Sequence, residues 1–97
     1  MPATLSATEI TQRLAVLPGW SADGEAAIRR AFKFADHITA IGFVVRVAMA
    51  AEVMDHHPDL RIVYNNVEIV LSTHSAGGLT ENDFALATKI DSLLAPP

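Results

Sequence analysis

The apolar positions of this chain change period along its length, from steps of three and four to steps of two and back again. Ile10, Leu14 and Leu17 fall on one helical face. Ser6 and Glu9 have the spacing of a capping box at its start, Leu5 and Ile10 that of a hydrophobic staple, and Pro18-Gly19 ends the run. Trp20 to Ala22 and Ala27 to Phe34 flank Asp23-Gly24 and predict a hairpin with Ile28, Phe32 and Phe34 on one face. Asp36 is placed to cap a long helix running to about Asp55. Leu60 to Tyr64 and Val67 to Ser72 are β-branched runs separated by Asn65-Asn66, two residues that tolerate φ > 0, which predicts a second tight hairpin. In that register Tyr64 faces Val67, Ile62 faces Ile69 and Leu60 faces Leu71, and continuing the ladder sets His57 opposite His74. Thr80 follows Gly77-Gly78 and can cap a last helix over 81–94, with Leu79 and Phe84 as its staple. The order α-β-β-α-β-β-α implies an α+β fold around one four-stranded antiparallel sheet. A chain of 97 residues is the size of a single domain, taken as 1–97, with Pro96-Pro97 a short tail at its end.

The long helix is apolar on two sides. Ile38, Ile41, Val45 and Met49 form one stripe, with Glu52 on the same side. Ala40, Val44, Val47, Ala51 and Met54 form the other, spaced as in a packed helix pair. One small sheet covers only one such face, so a homodimer or homotetramer through this helix and the sheet edges is expected, with Ala40 to Met54 as its seam; the alternative is burial of that stripe under another helix of the same chain.

Charge and composition narrow the function. The formal net charge is −4 and the seven basic residues are scattered, which argues against a nucleic-acid surface. There is no cysteine, hence no disulfide framework and no thiol nucleophile. The N-terminus shows neither a basic start nor an apolar core of a signal peptide. The hydrophobic run at 40–54 is broken by Arg46 and is short for a bilayer span. A soluble, cytoplasmic protein with no membrane partner is the expectation.

Candidate chemistry gathers in Glu52-Val-Met-Asp55-His56-His57 and Ser72-Thr73-His74-Ser75, which hold three of the four histidines. Imidazole exchanges protons near neutral pH, and a positioned acid or base is worth roughly 10²- to 10⁴-fold in rate. Glu52 and Asp55 could orient the rings. Neither Ser72 nor Ser75 sits in a nucleophile motif. Two other readings stand beside catalysis: a zinc site, although finger and zincin spacings are absent, and imidazoles that only complement a helix C-terminus. His37 lies outside the cluster and is read as surface.

Glu52, then His56-His57-Pro58, Tyr64, His74 and Asp83 lie at fixed spacings of three, five, nine and eight intervening residues. In these positions, and in Leu71-Ser-Thr-His74, the chain resembles the pterin-4a-carbinolamine dehydratases. The resemblance implies a four-stranded antiparallel sheet with three helices on one face. It also implies elimination of water from 4a-hydroxytetrahydrobiopterin to quinonoid dihydropterin, in support of aromatic amino acid hydroxylases. His56, His57 and His74 would carry the proton transfers, with Glu52 orienting a histidine. Asp55, His56, His57, Ser72, Thr73, His74 and Ser75 would line the pterin site, with no metal or cofactor implied. Asp83 matches too, but at a helix cap, where a structural role is equally implied. Leu60 departs from an aromatic residue common in the family at that position, which puts substrate preference in question. Relatives also act as dimerisation cofactors for a homeodomain transcription factor, so a helical protein partner is a second expectation. Others have become assembly factors, which should lose the histidines.

Overall fold

The computed structural model describes residues 3–94. The elements run α1 (Ala7–Leu14), β1 (Ser21–Asp23), β2 (Ala27–Lys33), α2 (His37–Met54), β3 (Asp59–Val63), β4 (Asn66–Leu71), a 3-10 turn (His74–Ala76) and α3 (Glu81–Ser92). All strand pairs are antiparallel and the sheet order is β1-β2-β4-β3. Three helices cover one face, as expected, and the Pro96-Pro97 tail lies outside the described residues.

Local chemistry accounts for the helix starts. Ser6 and Glu9 bond reciprocally at the head of α1, Asp36 accepts from the Thr39 N–H at α2, and the Thr80 hydroxyl accepts from the Asn82 N–H at α3. Each cap satisfies donors that the first turn leaves without intrahelical partners. Ile28 and Phe32 of β2, and Val67, Ile69 and Leu71 of β4, alternate into the core. There they meet Ile10 of α1, Phe43 of α2 and Leu86 and Ile90 of α3.

Two expectations need correction. The second hairpin turns at Tyr64-Asn65, so Leu60 faces Ile69, Ile62 faces Val67 and Val63 faces Asn66. Asn65 is not free to serve as the second half of an Asn-Asn turn: its carbonyl accepts from the Phe34 N–H and its side chain donates to the Phe34 carbonyl. Tyr64 instead takes the left-handed conformation, φ 54°, which costs a non-glycine residue about 1–2 kcal/mol. The imidazole of His37, exposed as expected, donates from Nδ1 to the Tyr64 carbonyl at 2.6 Å and helps hold the turn. The register moves by two residues, so every side chain keeps its face. The ladder ends at Asp59 and does not pair His57 with His74.

The second correction concerns α2. Ala40, Val47 and Ala51 are sealed in the chain's own core, with Val44 and Met54 packed against its edge, so they form no intersubunit seam. Phe43 selects this face: its ring lies 5.0 Å, centroid to centroid, from both Phe32 and Phe34. The exposed stripe is the other one, Ile38, Ile41, Val45 and Met49, joined by Val53 at 89% exposure. By length and composition the 18 residues of α2 would suffice to cross a bilayer, contrary to the shorter count from residue 40. Burial of one face against the sheet and α3 gives that hydrophobicity a different origin.

Candidate active site

Three breaks in regular structure meet at one end of the sheet. Asp55, at φ 50°, closes α2 in the left-handed conformation, and the His56 N–H reaches back to the Ala51 carbonyl at 3.1 Å. This reversal sends the two adjacent imidazoles to different partners. His56 turns inward, where its Nε2–H donates to Asp83 Oδ1 of α3 at 2.6 Å. His57 stays outside, and its Nε2–H donates to Glu52 Oε1 at 2.8 Å. After β4 the chain forms a small closed loop, with Thr73 bridging to Gly78 around the 3-10 turn. Gly77, at φ 79°, makes that closure possible. The loop presents His74, whose Nε2 lies 3.4 Å from Ser72 Oγ, at the edge of hydrogen-bonding range.

Asp55, His56, His57, Ser72, Thr73, His74 and Ser75 line a shared depression of about 240 Å³. These are the seven residues expected around the ligand. The volume lies below the roughly 300–1,000 Å³ of a typical small-molecule pocket. A larger hollow of about 310 Å³ on the open face of the sheet is lined by Ala31, Arg61, Val63, Asn66, Val67 and Glu68. It has no imidazole, and size alone does not mark the chemistry. Leu60 borders neither; it sits opposite Ile69 in the hairpin.

The two carboxylate–imidazole pairs differ in environment. The side chains of His57 and Glu52 are 57% and 79% exposed, so water screens their attraction. Those of His56 and Asp83 are 10% and 0% exposed. Asp83 is satisfied there by further donors, since Oδ2 accepts from the Thr73 hydroxyl at 2.8 Å and from the Thr80 N–H at 2.9 Å. Among the described residues no buried side-chain polar atom lacks a partner. With Nε2–H committed to a carboxylate, each neutral ring keeps Nδ1 as its basic nitrogen. His56 and His57 are thus two oriented bases, and His74 a third imidazole without a carboxylate. The three rings are engaged separately, and among the described residues no set of three His, Cys, Asp or Glu side chains is grouped as metal ligands.

The sequence profile described as pterin 4 alpha carbinolamine dehydratase matches residues 3–93. The chain belongs to the pterin-4a-carbinolamine dehydratase family. A relative from Chloroflexus aggregans is 53% identical over 92 residues, covering 95% of this chain and 98% of its own. One from Paraburkholderia xenovorans is 52% identical, covering 94% and 96%. Both carry the name "Putative pterin-4-alpha-carbinolamine dehydratase". A crystal structure of a transcriptional coactivator/pterin dehydratase from Brucella melitensis superposes with a TM-score of 0.89 at 42% identity, covering 94% of this chain and 98% of that one. A pterin dehydratase-like RuBisCO assembly factor of the alpha-carboxysome shares the fold at 22% identity, TM-score 0.68, covering 81% and 93%.

Within this dehydratase family fold, Asp83 joins the site more closely than sequence reasoning placed it. Glu52 is hydrogen-bonded to a histidine, the solvated His57. The buried histidine is oriented by Asp83, with Thr73 and Thr80 behind it. The available signal was the match of Asp83 to the family spacing; its place three residues after Thr80 explained it equally well as a cap. The structure gives it both roles.

Proposed function

We propose that this chain catalyses dehydration of 4a-hydroxytetrahydrobiopterin to quinonoid dihydropterin by histidine acid/base chemistry, serving tetrahydrobiopterin recycling for aromatic amino acid hydroxylases. The observation that carries this is the convergence of His56, His57 and His74 on one depression, two of them oriented by carboxylates. The reaction removes the proton from N5, forms the N5=C4a double bond and expels the 4a-hydroxyl as water. One imidazole accepts the N5 proton while another delivers a proton to the departing oxygen, so no covalent nucleophile is needed. Ser72, Ser75 and the backbone of the loop offer hydrogen bonds to the polar edge of the ring. The hydroxyl of Thr73 is already engaged with Asp83.

The test is the rate of 4a-hydroxytetrahydropterin dehydration in a coupled hydroxylase assay, after chelator treatment, for wild type, His56→Ala, His57→Ala and His74→Ala. Acceleration that survives chelation and falls by roughly 10²-fold or more in at least one variant supports the reading. Activity lost to chelator alone restores the zinc reading, and a folded but inactive wild type overturns the enzyme.

The exposed stripe of α2 favours a second property. We propose that Ile38, Ile41, Val45, Met49 and Val53 meet another copy of the chain, in a homodimer or homotetramer. The same stripe would suit a helical protein partner, and a scaffold built on that contact is the alternative function.

A further inference from the structure

We propose that Thr73 is a positioning residue for the reaction, the donor that fixes Asp83 so that its other oxygen holds the buried catalytic imidazole. Thr73 is 6% exposed and Thr80 is fully buried. Oδ2 of Asp83 is an acceptor, so the single hydroxyl proton of Thr73 goes to it. The 2.8 Å contact between the two threonine hydroxyls must then be donated by Thr80. Thr80 in turn accepts from the Asn82 N–H. The direction of every bond is thereby set: Asn82 N–H to Thr80, Thr80 to Thr73, Thr73 to Asp83. Oδ2 receives two donors and Oδ1 is left for His56, which can pair with it only through Nε2–H. The hydroxyls hold the Asp83 carboxylate in place, and that carboxylate, an acceptor at both oxygens, sets the tautomer of a ring to which neither threonine side chain is hydrogen-bonded.

The geometry explains why a threonine stands one residue before His74. The Thr73–Gly78 bridge anchors the loop, so the hydroxyl that orients His56 belongs to the segment that presents the third imidazole. The orientation of His56 and the placement of His74 thus depend on a common residue. Valine at this position would keep the branched shape and remove both the donor to Asp83 and the acceptor for Thr80.

The kinetic consequence rests on the dehydratase reading, whereas the tautomer does not, so the experiment reads both. In wild type, long-range ¹⁵N–¹H correlation of the imidazoles should show neutral His56 as the Nε2–H form. Thr73→Val frees the Asp83 carboxylate to turn away from His56, so that the Nδ1–H tautomer competes, and should lower kcat by roughly tenfold, a fraction of the 10²- to 10⁴-fold that a positioned acid or base supplies, with KM close to wild type. Thr73→Ser, which keeps the hydroxyl, should restore both. If Thr73→Val does not fold, Thr73→Cys takes its place and should shift tautomer and kcat in the same direction by less. A tautomer change without activity in any form, wild type included, retains the positioning role and removes the dehydratase reading. A folded Thr73→Val with the wild-type His56 tautomer overturns the proposal, as does a loss that Thr73→Ser shares in full.

Discussion

Replacing Asp83 by asparagine keeps the shape of the side chain and exchanges one acceptor for a donor. Asp83 is fully buried and accepts from His56, Thr73 and Thr80. If the amide oxygen stays with Thr73 and Thr80, the NH2 group faces His56 Nε2, and the ring can meet it only by moving its proton to Nδ1. If the amide turns over, the NH2 group faces two donors and leaves the buried Thr80 N–H unpaired, which costs about 1–3 kcal/mol. The first arrangement is therefore favoured. It gives up a hydrogen bond to a charged group, worth about 1.5–3 kcal/mol, and regains a neutral one worth about 1 kcal/mol. The net loss of about 0.5–2 kcal/mol should lower Tm by roughly 2–16 °C in a domain of this size and leave the protein folded at 25 °C. The catalytic loss should be far larger, because the basic nitrogen now faces the amide: kcat should fall by roughly 10²-fold or more. Thermal melts with initial rates at 25 °C separate the two effects. A lowered Tm with kcat within a factor of two of wild type would refute the reasoning and leave Asp83 as a helix cap alone.

Other substitutions probe the remaining claims. Glu52→Gln breaks only a solvated pair, so stability should change by less than about 1 kcal/mol, and kcat should fall less than in Asp83→Asn because the amide oxygen still accepts from His57; the opposite ranking would show that burial does not decide which carboxylate matters. Val53→Glu, at a position 89% exposed, should leave the fold intact while lowering the mass measured by light scattering, whereas Val47→Glu, fully buried, should unfold the chain; an unchanged mass for Val53→Glu excludes this stripe as the contact between copies. The Thr39 hydroxyl and N–H hold the Asp36 carboxyl below the usual carboxylate range. A depressed folded pKa means that the contribution is present above the unfolded value near 3.9 and is lost as pH falls through the folded one. The Tm advantage of wild type over Asp36→Asn should therefore shrink below about pH 4, and an advantage constant from pH 7 to pH 2 would contradict the assignment.

The parts of this fold that were legible in the sequence are those determined by neighbours in the chain. Ser6 with Glu9, Asp36 with Thr39 and Thr80 with Asp83 act over three residues, so helix starts could be read directly. The misread features depend on distant residues. The turn at Tyr64-Asn65 is set by Phe34, 31 residues before Asn65. The buried side of α2 is set by Phe43 packing on Phe32 of β2, and without Phe43 the helix shows two nearly equal apolar faces. The β3–β4 ladder expected to set His57 opposite His74 ends at Asp59; a left-handed Asp55 and a closed loop after β4 bring the histidines together instead.

Asp83 shows why such a site resists reading from sequence. Its backbone neighbourhood fully explains an acidic residue at that position, so nothing local calls for a second role. Only the fold reveals that Oδ1 is not used by the cap and reaches a histidine 27 residues earlier. The arrangement has a physical consequence: the first turn of α3, which the cap stabilises, is also what holds His56. Fraying of that turn would release Asp83 from the Thr80 N–H and loosen the imidazole before the sheet is disturbed. Activity should therefore be lost on heating ahead of global unfolding, by a margin that widens when the cap is weakened.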